Sequence, residues 1–148
     1  MFQVRLIAES ELPDLLRLYA YLNRDEAPPL QQVAAEAWRE ICSNPRYRYV
    51  GAYVADKLVS SCAVTIVPNL TRGARPYGVI ENVVTHVEYR RKGLGRAVLR
   101  KALDCCWSVG CYKVMLATGR RDDAIDRFYS AAGFSPHEKQ AFVARPPA

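Results

Sequence analysis

A turn that combines glycines with positive charges is the stretch of the sequence best suited to bind an anion. Gly93-Leu94-Gly95 lies between a β-rich run and a helical pattern, and its flanking cations are Arg90, Arg91, Lys92 and Arg96. The first amides of a helix have no acceptor within the helix, and the helix dipole adds partial positive charge there. Glycine lets an anion approach the backbone because it has no Cβ. The turn from Arg90 to Arg96 is therefore predicted to bind a diphosphate group.

Two better-known phosphate-binding loops do not match this turn. No Gly-Lys-Ser/Thr is present, as a nucleoside-triphosphatase loop requires, and the third glycine of a dinucleotide fingerprint would fall on Val98. The turn alone leaves a second interpretation open, in which it is an ordinary basic helix N-terminus that faces solvent. The rest of the chain has to decide between the two.

Length and composition indicate one domain over residues 1–148. Half of the residues are apolar and about a quarter are charged, which is the balance of a globular chain with a core. No apolar run approaches the ~20 residues needed to cross a bilayer, and the N-terminus reads as a strand and not as a signal peptide. Five cysteines without C-x-x-C spacing and only two histidines predict reduced thiols, no metal site and a cytoplasmic location.

Hydrophobic periodicity predicts an α/β domain with a mixed sheet. The predicted strands are 2–8, 46–55, 58–67, 78–86, 111–118 and 139–143, with a hairpin turn at Asp56-Lys57. The predicted helices start at the N-cap Ser10 and at Leu30, and two more run from Gly93 to Gly110 and from Asp122 or Asp123 to Gly133. In the second helix, Leu30, Val33, Ala34, Ala37, Trp38 and Ile41 share the apolar face. The element order βααββ followed by β-α-β-α-β predicts a crossover unit in the second half.

A second motif decides how the glycine turn is interpreted. Arg90-x-x-Gly93-x-Gly95 resembles the R/Q-x-x-G-x-G/A signature of the GNAT superfamily of N-acetyltransferases, and Arg127-Phe-Tyr-Ser-Ala-Ala-Gly-Phe134 resembles the closing F-Y-x-x-x-G-F segment of that superfamily. The order of predicted elements agrees from residue 2 to about 143. Two motifs in the right order are far more specific than either alone.

This resemblance implies a fold and a co-substrate. The fold is a central mixed sheet with two splayed parallel strands, here 79–86 and 111–118, flanked by about four helices. Acetyl-CoA lies in the cleft between these strands, with its pantetheine arm along the backbone of Val83, Val84 and Thr85. Its pyrophosphate sits on the amides of Arg91–Arg96, and Asp122 stands where much of the superfamily has a CoA-contacting Asn.

The resemblance also suggests the residues that carry the chemistry. Glu81 is the candidate base, since it is a carboxylate in an otherwise apolar strand and the family places catalytic acids there; the alternative is an outward-facing residue on an edge strand. Asn82 would point to the opposite face unless a bulge intervenes. Tyr129 is the candidate acid that protonates the CoA thiolate, or else a packed aromatic beside Phe128. His86 is an alternative base, although a histidine at a strand end is more often a surface residue.

The acceptor is predicted only as a primary amine of a small molecule or peptide. Val79–Val84 and Cys111–Leu116 are similar to the glucosamine-6-phosphate N-acetyltransferase branch of the family, but that branch usually carries Glu-Asp where this chain has Glu81-Asn82. The Asn23–Pro29 and Pro68–Tyr77 loops are expected to set specificity. In them Asp25 and Glu26 could attract an amine, and Arg72 and Arg75 could hold a phosphate or carboxylate.

The net charge of +6 leaves two other functions to consider. A nucleic-acid-binding module would need a basic stripe with interleaved exposed aromatics, whereas the arginines cluster at one helix start. A non-catalytic acetyl-CoA-binding regulatory domain would share every feature except turnover. The expected partners are therefore acetyl-CoA and an amine, without nucleic acid or membrane, and a homodimer remains open.

Overall fold

The alternating and helical segments form an α/β structure in the computed structural model, which describes residues 1–148. The strands are β1 (Gln3–Leu6), β2 (Tyr47–Val54), β3 (Lys57–Val67), β4 (Tyr77–Thr85) and β5 (Val114–Leu116). The helices are α1 (Leu12–Tyr19), α2 (Gln31–Ser43), the one-turn α3 (Thr71–Ala74), α4 (Leu94–Ser108) and α5 (Asp123–Ala131). Short 3-10 turns lie at Glu9–Glu11 and Val87–Tyr89. Residues 1–116 form one compact unit with the sheet, and residues 117–148 form a second unit with α5.

The five strands form one mixed sheet in the order β1-β2-β3-β4-β5. Neighbouring strands are antiparallel from β1 to β4, whereas β4 and β5 are parallel. Parallel neighbours need a crossover connection, and α4 provides it. The predicted mixed sheet with two parallel strands in the second half of the chain is confirmed.

The β2–β3 hairpin turns one residue earlier than predicted. Val54 pairs with Lys57, and the two residues between them, Ala55 and Asp56, have positive φ of 47° and 62°. A two-residue turn with positive φ at both positions matches the twist of paired strands. Lys57 is therefore the first residue of β3 and not a turn residue.

Apolar side chains cover both faces of the sheet. On one face, a buried cluster joins the sheet to α1 and α2; its members are Ile7, Leu15, Leu18, Trp38, Tyr53, Leu58 and Val84. On the other face α4 packs with its buried side, and a Cβ added at Gly78 would lie 2.6 Å from Cys106 Sγ. A glycine at position 78 thus lets β4 and α4 approach closely.

The N-terminal helices differ in detail from the prediction. Ser10 lies inside the Glu9–Glu11 turn, so it is not the N-cap of α1. Leu30 and Val33 are exposed although their spacing suggested a buried face for α2. The helix is anchored instead through Trp38, whose indole Nε1 donates to the Glu9 carbonyl at 2.7 Å. The ring of Trp38 also packs edge-on against Tyr49, 5.2 Å between centroids.

The predicted strand at 139–143 is wrong. Residues 139–148 have no regular secondary structure, and Phe142 and Val143 are 87% and 71% exposed. Alternation alone suggested a strand, but ordering the backbone costs conformational entropy that pairing and burial have to offset. This segment has neither.

A charged network ties β1 to the start of α1. The guanidinium of Arg5 donates to both carboxylate oxygens of Glu11 at 2.8 Å and lies 3.8 Å from the ring centroid of Tyr53. Glu11 also accepts the amide of Ala8 at 2.6 Å and the hydroxyl of Tyr53 at 3.1 Å. These donors, the Arg5 guanidinium foremost, lower the pKa of Glu11 from 4.5 to about 2. The carboxylate form of Glu11 therefore stabilises the folded state.

We expect Glu11→Gln to destabilise the fold in a pH-dependent way. Because the pKa of Glu11 is lower in the folded chain, its contribution is fully present above about pH 4.5 and is lost as the pH falls towards 2. Urea unfolding at neutral pH should show a loss of about 1.5–3 kcal/mol for the variant. The difference from wild type should shrink as the pH is lowered. A difference that stays constant between neutral pH and pH 3 would contradict this role of Glu11.

Candidate active site

The parallel strands β4 and β5 separate partway along β4. They pair only over Gly78–Ile80 with Val114–Leu116, while β4 continues to Thr85. From Glu81 onward β4 has β3 on one edge and no strand on the other. This is the predicted splay, and it leaves an open strand edge.

The backbone of β4 can be assigned to its two edges. The amide of His86 donates to the Val59 carbonyl of β3 at 2.8 Å. Backbone groups of successive residues in a strand face opposite edges, so Val84 faces β3 and Val83 and Thr85 face the open edge. Val84 accordingly accepts the Ser60 hydroxyl at 3.0 Å. An extended ligand at the open edge would meet the amides of Val83 and Thr85 and the Val83 carbonyl, since the Thr85 carbonyl already accepts Arg90 Nε at 3.1 Å.

A β-bulge redirects β4 next to Glu81. Glu81 pairs with Ala63 and Val84 pairs with Ser61, so Asn82 and Val83 together oppose Cys62. Asn82 takes a φ of 55°, an uncommon conformation for a residue other than glycine. A bulge re-aims the side chains around it, and the bulge considered from the sequence is present.

Glu81 leaves the sheet on the face covered by α1. Its partner Ala63 also pairs with Tyr49, and paired residues across strands point to one face. Tyr49 packs against the buried cluster that contains α1. The side chain of Glu81 is exposed and makes no hydrogen bond or ion pair. A free carboxylate therefore stands beside the point where the strands separate.

Tyr19 of α1 is a polar group on this face that the sequence did not single out. Its hydroxyl is buried without a hydrogen bond of normal geometry. Burial raises the pKa of Tyr19, and the neighbouring Asn82 side chain opposes that shift. Buried hydroxyls usually have a partner, and the Asn82 side chain is the polar group beside this one. Nothing local in the sequence distinguishes it from the apolar residues of α1.

The glycine turn presents unpaired amides. No amide from Arg91 to Arg96 donates to a protein acceptor, and the first bond of α4 runs from the Ala97 amide to the Gly93 carbonyl at 3.0 Å. Gly93 has a φ of 82°, and a Cβ added there would have no neighbour within 4 Å. Arg91 also has positive φ, at 62°. Amides that lack acceptors beside open space are the feature by which helix N-termini bind anions, so the predicted diphosphate site has the backbone it needs.

Two of the four cations stabilise the turn itself. Arg90 Nε donates to the Thr85 carbonyl at 3.1 Å, and Lys92 Nζ donates to the Glu88 carbonyl at 3.0 Å. The side chains of Arg91 and Arg96 are exposed and form no ion pair. Positive charge thus surrounds the amides of the turn, although only Arg91 and Arg96 are unengaged.

His86 differs from the surface residue that the sequence suggested. It is 9% exposed. Its Nδ1 accepts the Glu88 amide at 3.2 Å, and its Nε2 lies 3.0 Å from the Tyr21 hydroxyl. Both ring nitrogens are engaged, so His86 is poorly placed to take a proton from a substrate.

In the second unit, Asp122 caps α5. Its Oδ1 accepts the Ile125 amide at 2.9 Å, and Arg120 lies 3.2 Å from Oδ2. The bond from Ile125 is the main cause of a lowered pKa for Asp122. A contact between Asp122 and CoA stays a prediction.

Tyr129 lies in α5 among aromatic rings of the same unit. Its ring is edge-on to Phe128 at 4.9 Å and to Phe134 at 6.2 Å between centroids. The packed-aromatic interpretation accounts for these contacts, and a role in proton transfer stays a prediction.

A cationic cluster lies where the β3–β4 connection meets the start of β5. The guanidinium carbons of Arg72 and Arg75 are each 5.8 Å from the centroid of the Tyr112 ring. Lys113 Nζ lies 5.2 Å from Tyr112 and 5.3 Å from Tyr77. None of the three cations has an acidic partner. In the Asn23–Pro29 loop, by contrast, Glu26 already accepts the Asn23 side-chain amide at 2.9 Å.

The remaining reactive side chains are the cysteines and the potential metal ligands. All five cysteines are free thiols, and burial raises the pKa of Cys62, Cys106 and Cys111. No group of His, Cys, Asp and Glu side chains is arranged to hold a metal ion. No helix has both the length and the apolar character to span a membrane.

Comparison with known proteins agrees with this geometry. The model of the acetyltransferase (GNAT) family matches residues 15–134. A glucosamine 6-phosphate N-acetyltransferase from Trypanosoma brucei brucei is 34% identical, over 93% of this chain and 92% of the relative. Among solved structures, a candidate acetyltransferase from Agrobacterium tumefaciens str. C58 is 40% identical with a TM-score of 0.91, covering 97% of this chain and 99% of that one. An acetyltransferase from Trypanosoma brucei is 31% identical with a TM-score of 0.82, covering 98% and 100%. The chain belongs to the GNAT family and is an acetyl-CoA-dependent N-acetyltransferase.

Proposed function

We propose that this enzyme passes the acetyl group of acetyl-CoA directly to a primary amine while both substrates are bound. The observation that carries this proposal is the row of amides from Arg91 to Arg96, which have no protein acceptor. The pyrophosphate of CoA lies on these amides, with Arg90, Lys92 and the turn glycines as its frame. The pantetheine arm runs along the open edge of β4 at Val83 and Thr85, while Val84, also expected from the sequence, faces β3; Asp122 contacts CoA.

Direct attack requires a neutral amine. A lysine-like amine has a pKa of about 10.4, so removing its proton at neutral pH costs roughly 4–5 kcal/mol. Glu81 is our candidate for the base, acting directly or through a water molecule. Its carboxylate is unpaired and lies on the α1 face beside the strand separation. Engagement of both nitrogens of His86 leaves Glu81 as the preferred candidate.

The departing thiolate of CoA requires a second proton. We assign the Tyr129 hydroxyl as its donor, because the tyrosine of the F-Y motif holds this role in the family. The ring contacts of Tyr129 within α5 restrict its rotation. Proton delivery at this atom neutralises the sulfur as its bond to the acetyl carbon breaks, and so opposes its return to the tetrahedral intermediate.

Among amine acceptors, a phosphorylated amino sugar is the first to test. The relative from Trypanosoma brucei brucei is named a glucosamine 6-phosphate N-acetyltransferase. Arg72, Arg75 and Lys113 lack acidic partners and are grouped around Tyr112, which suits a phosphate. Asn82 replaces the acid usual in that branch, so small-molecule and peptide amines belong in the same test. Five free thiols support a cytoplasmic location.

The experiment is a screen for free thiol released from acetyl-CoA with a panel of amines. It compares glucosamine 6-phosphate, glucosamine, glucose 6-phosphate and an N-terminal peptide amine. We expect turnover with glucosamine 6-phosphate, a raised KM with glucosamine because the phosphate is missing, and none with glucose 6-phosphate because the amine is missing. Turnover with the peptide alone would assign a peptide acceptor, and release unaffected by every amine would overturn the proposal.

Replacing Gly93 by Val should abolish binding of CoA. A side chain at this open position occupies the space of the pyrophosphate, and φ of 82° strains it. Gly110→Val is a matched control, since Gly110 at the other end of α4 has a φ of 81° and equally open surroundings. Wild type and Gly110→Val should gain about 2.7 kcal/mol of stability at 100 times the Kd for CoA. A CoA-dependent rise in Tm that survives in Gly93→Val would refute the role of the turn.

The two catalytic assignments are separable by kinetics. Glu81→Gln should lower kcat by about 10²-fold or more, most strongly at low pH where more of the amine is protonated. Tyr129→Phe should lower kcat while the Kd for CoA stays near that of wild type. A pH profile of Glu81→Gln parallel to wild type would remove Glu81 from the mechanism. Unchanged turnover of Tyr129→Phe would do the same for Tyr129.

A further inference from the structure

His86 connects three parts of the first unit. It follows the last residue of β4, and its amide donates to Val59 of β3 at 2.8 Å. Its ring packs against the rings of Tyr21 and Tyr89, with centroid distances of 4.4 and 5.3 Å. Burial at 9% exposure and these contacts hold the imidazole in one orientation.

The two ring nitrogens of His86 have different partners. The Glu88 amide can only donate, so Nδ1 accepts this bond and carries no proton in the neutral ring. The proton of the neutral imidazole therefore lies on Nε2, which donates to the Tyr21 hydroxyl. Nδ1 is thus hydrogen-bonded to the backbone that leads into the glycine turn. Nε2 is hydrogen-bonded to Tyr21, which lies just beyond α1.

Glu88 is held from both sides of its backbone. Its amide is bound to His86, and its carbonyl accepts Lys92 Nζ at 3.0 Å. The next residue, Tyr89, donates its amide to the His86 carbonyl at 2.9 Å. The positive φ of Arg91 follows directly. The direction of the unpaired amides after Arg91 thus depends on how Glu88 is held.

We propose that His86 is a positioning residue for the coenzyme: Nδ1 fixes Glu88 and thereby the amides of the turn, while Nε2 and Tyr21 hold the ring in place. The inference rests on the proposed function, in which these amides bind the pyrophosphate of CoA. It gives His86 a part in CoA binding without contact to CoA or to the reacting atoms. Tyr21 precedes the Asn23–Pro29 loop, so the same contact joins the coenzyme turn to a loop expected to set acceptor specificity.

Substituting His86 by asparagine or by glutamine tests the roles of its two ring nitrogens separately. In His86→Asn the side-chain oxygen can take the place of Nδ1 and accept the Glu88 amide, but nothing reaches Tyr21. In His86→Gln the longer side chain can donate to Tyr21, but the acceptor for Glu88 is lost. Each variant loses one hydrogen bond and the imidazole ring, so a purely structural role predicts similar losses of Tm and similar CoA affinity.

The test is calorimetric titration of the full chain with CoA, alongside the Tm of each variant without ligand. We expect His86→Gln to raise the Kd for CoA by about tenfold, the equivalent of one lost hydrogen bond, and His86→Asn to raise it no more than Tyr21→Phe, about threefold. Equal CoA affinity of the Asn and Gln variants would overturn the role of His86. If His86→Gln does not fold, Tyr21→Phe decides, and an unchanged Kd overturns it. A wild-type chain that does not bind CoA would overturn the proposed function itself.

Discussion

The unsatisfied amides between Arg91 and Arg96 are the constraint on which the site depends. A backbone N–H without an acceptor is costly unless water or a ligand satisfies it. Here the amides lie at the start of α4, where the helix dipole and nearby cations also favour an anion. Gly93 and Arg91 both have positive φ, and the space beside Gly93 is open. A diphosphate has enough oxygen atoms to accept from several of them at once, which a single water molecule cannot do.

The first unit holds this turn between the end of β4 and the start of α4. β4 runs into the turn, and α4 runs away from it across the opposite face of the sheet from α1. Because β5 pairs only with Gly78–Ile80, the remainder of β4 is left open on the side that a coenzyme arm would use. The pairing of Glu81 with Ala63 then places its side chain on the face of α1, directly before the bulge at Asn82. Donors, strand edge and carboxylate are thus fixed by one continuous segment of chain.

Local features of the sequence were sufficient to predict the turn and much of the fold. Gly93 and the basic residues around it act over a few residues, and the periodicity of α4 depends only on its own side chains. Other features depend on partners distant in the chain. His86 is buried because Tyr21, 65 residues earlier, packs against it. The face of Glu81 depends on the register with Ala63, and the segment 139–143 alternates without gaining a pairing strand.

Hydrogen exchange of individual amides, followed by NMR with and without CoA, tests the central claim most directly. The amides of Arg91 to Arg96 have no acceptor in the free chain, so they should exchange rapidly, and saturating CoA should slow their exchange markedly. Amides of α2, remote from the turn in the sequence, should be unaffected. Exchange at Arg91–Arg96 that is already slow without CoA, or unchanged by it, would contradict the account.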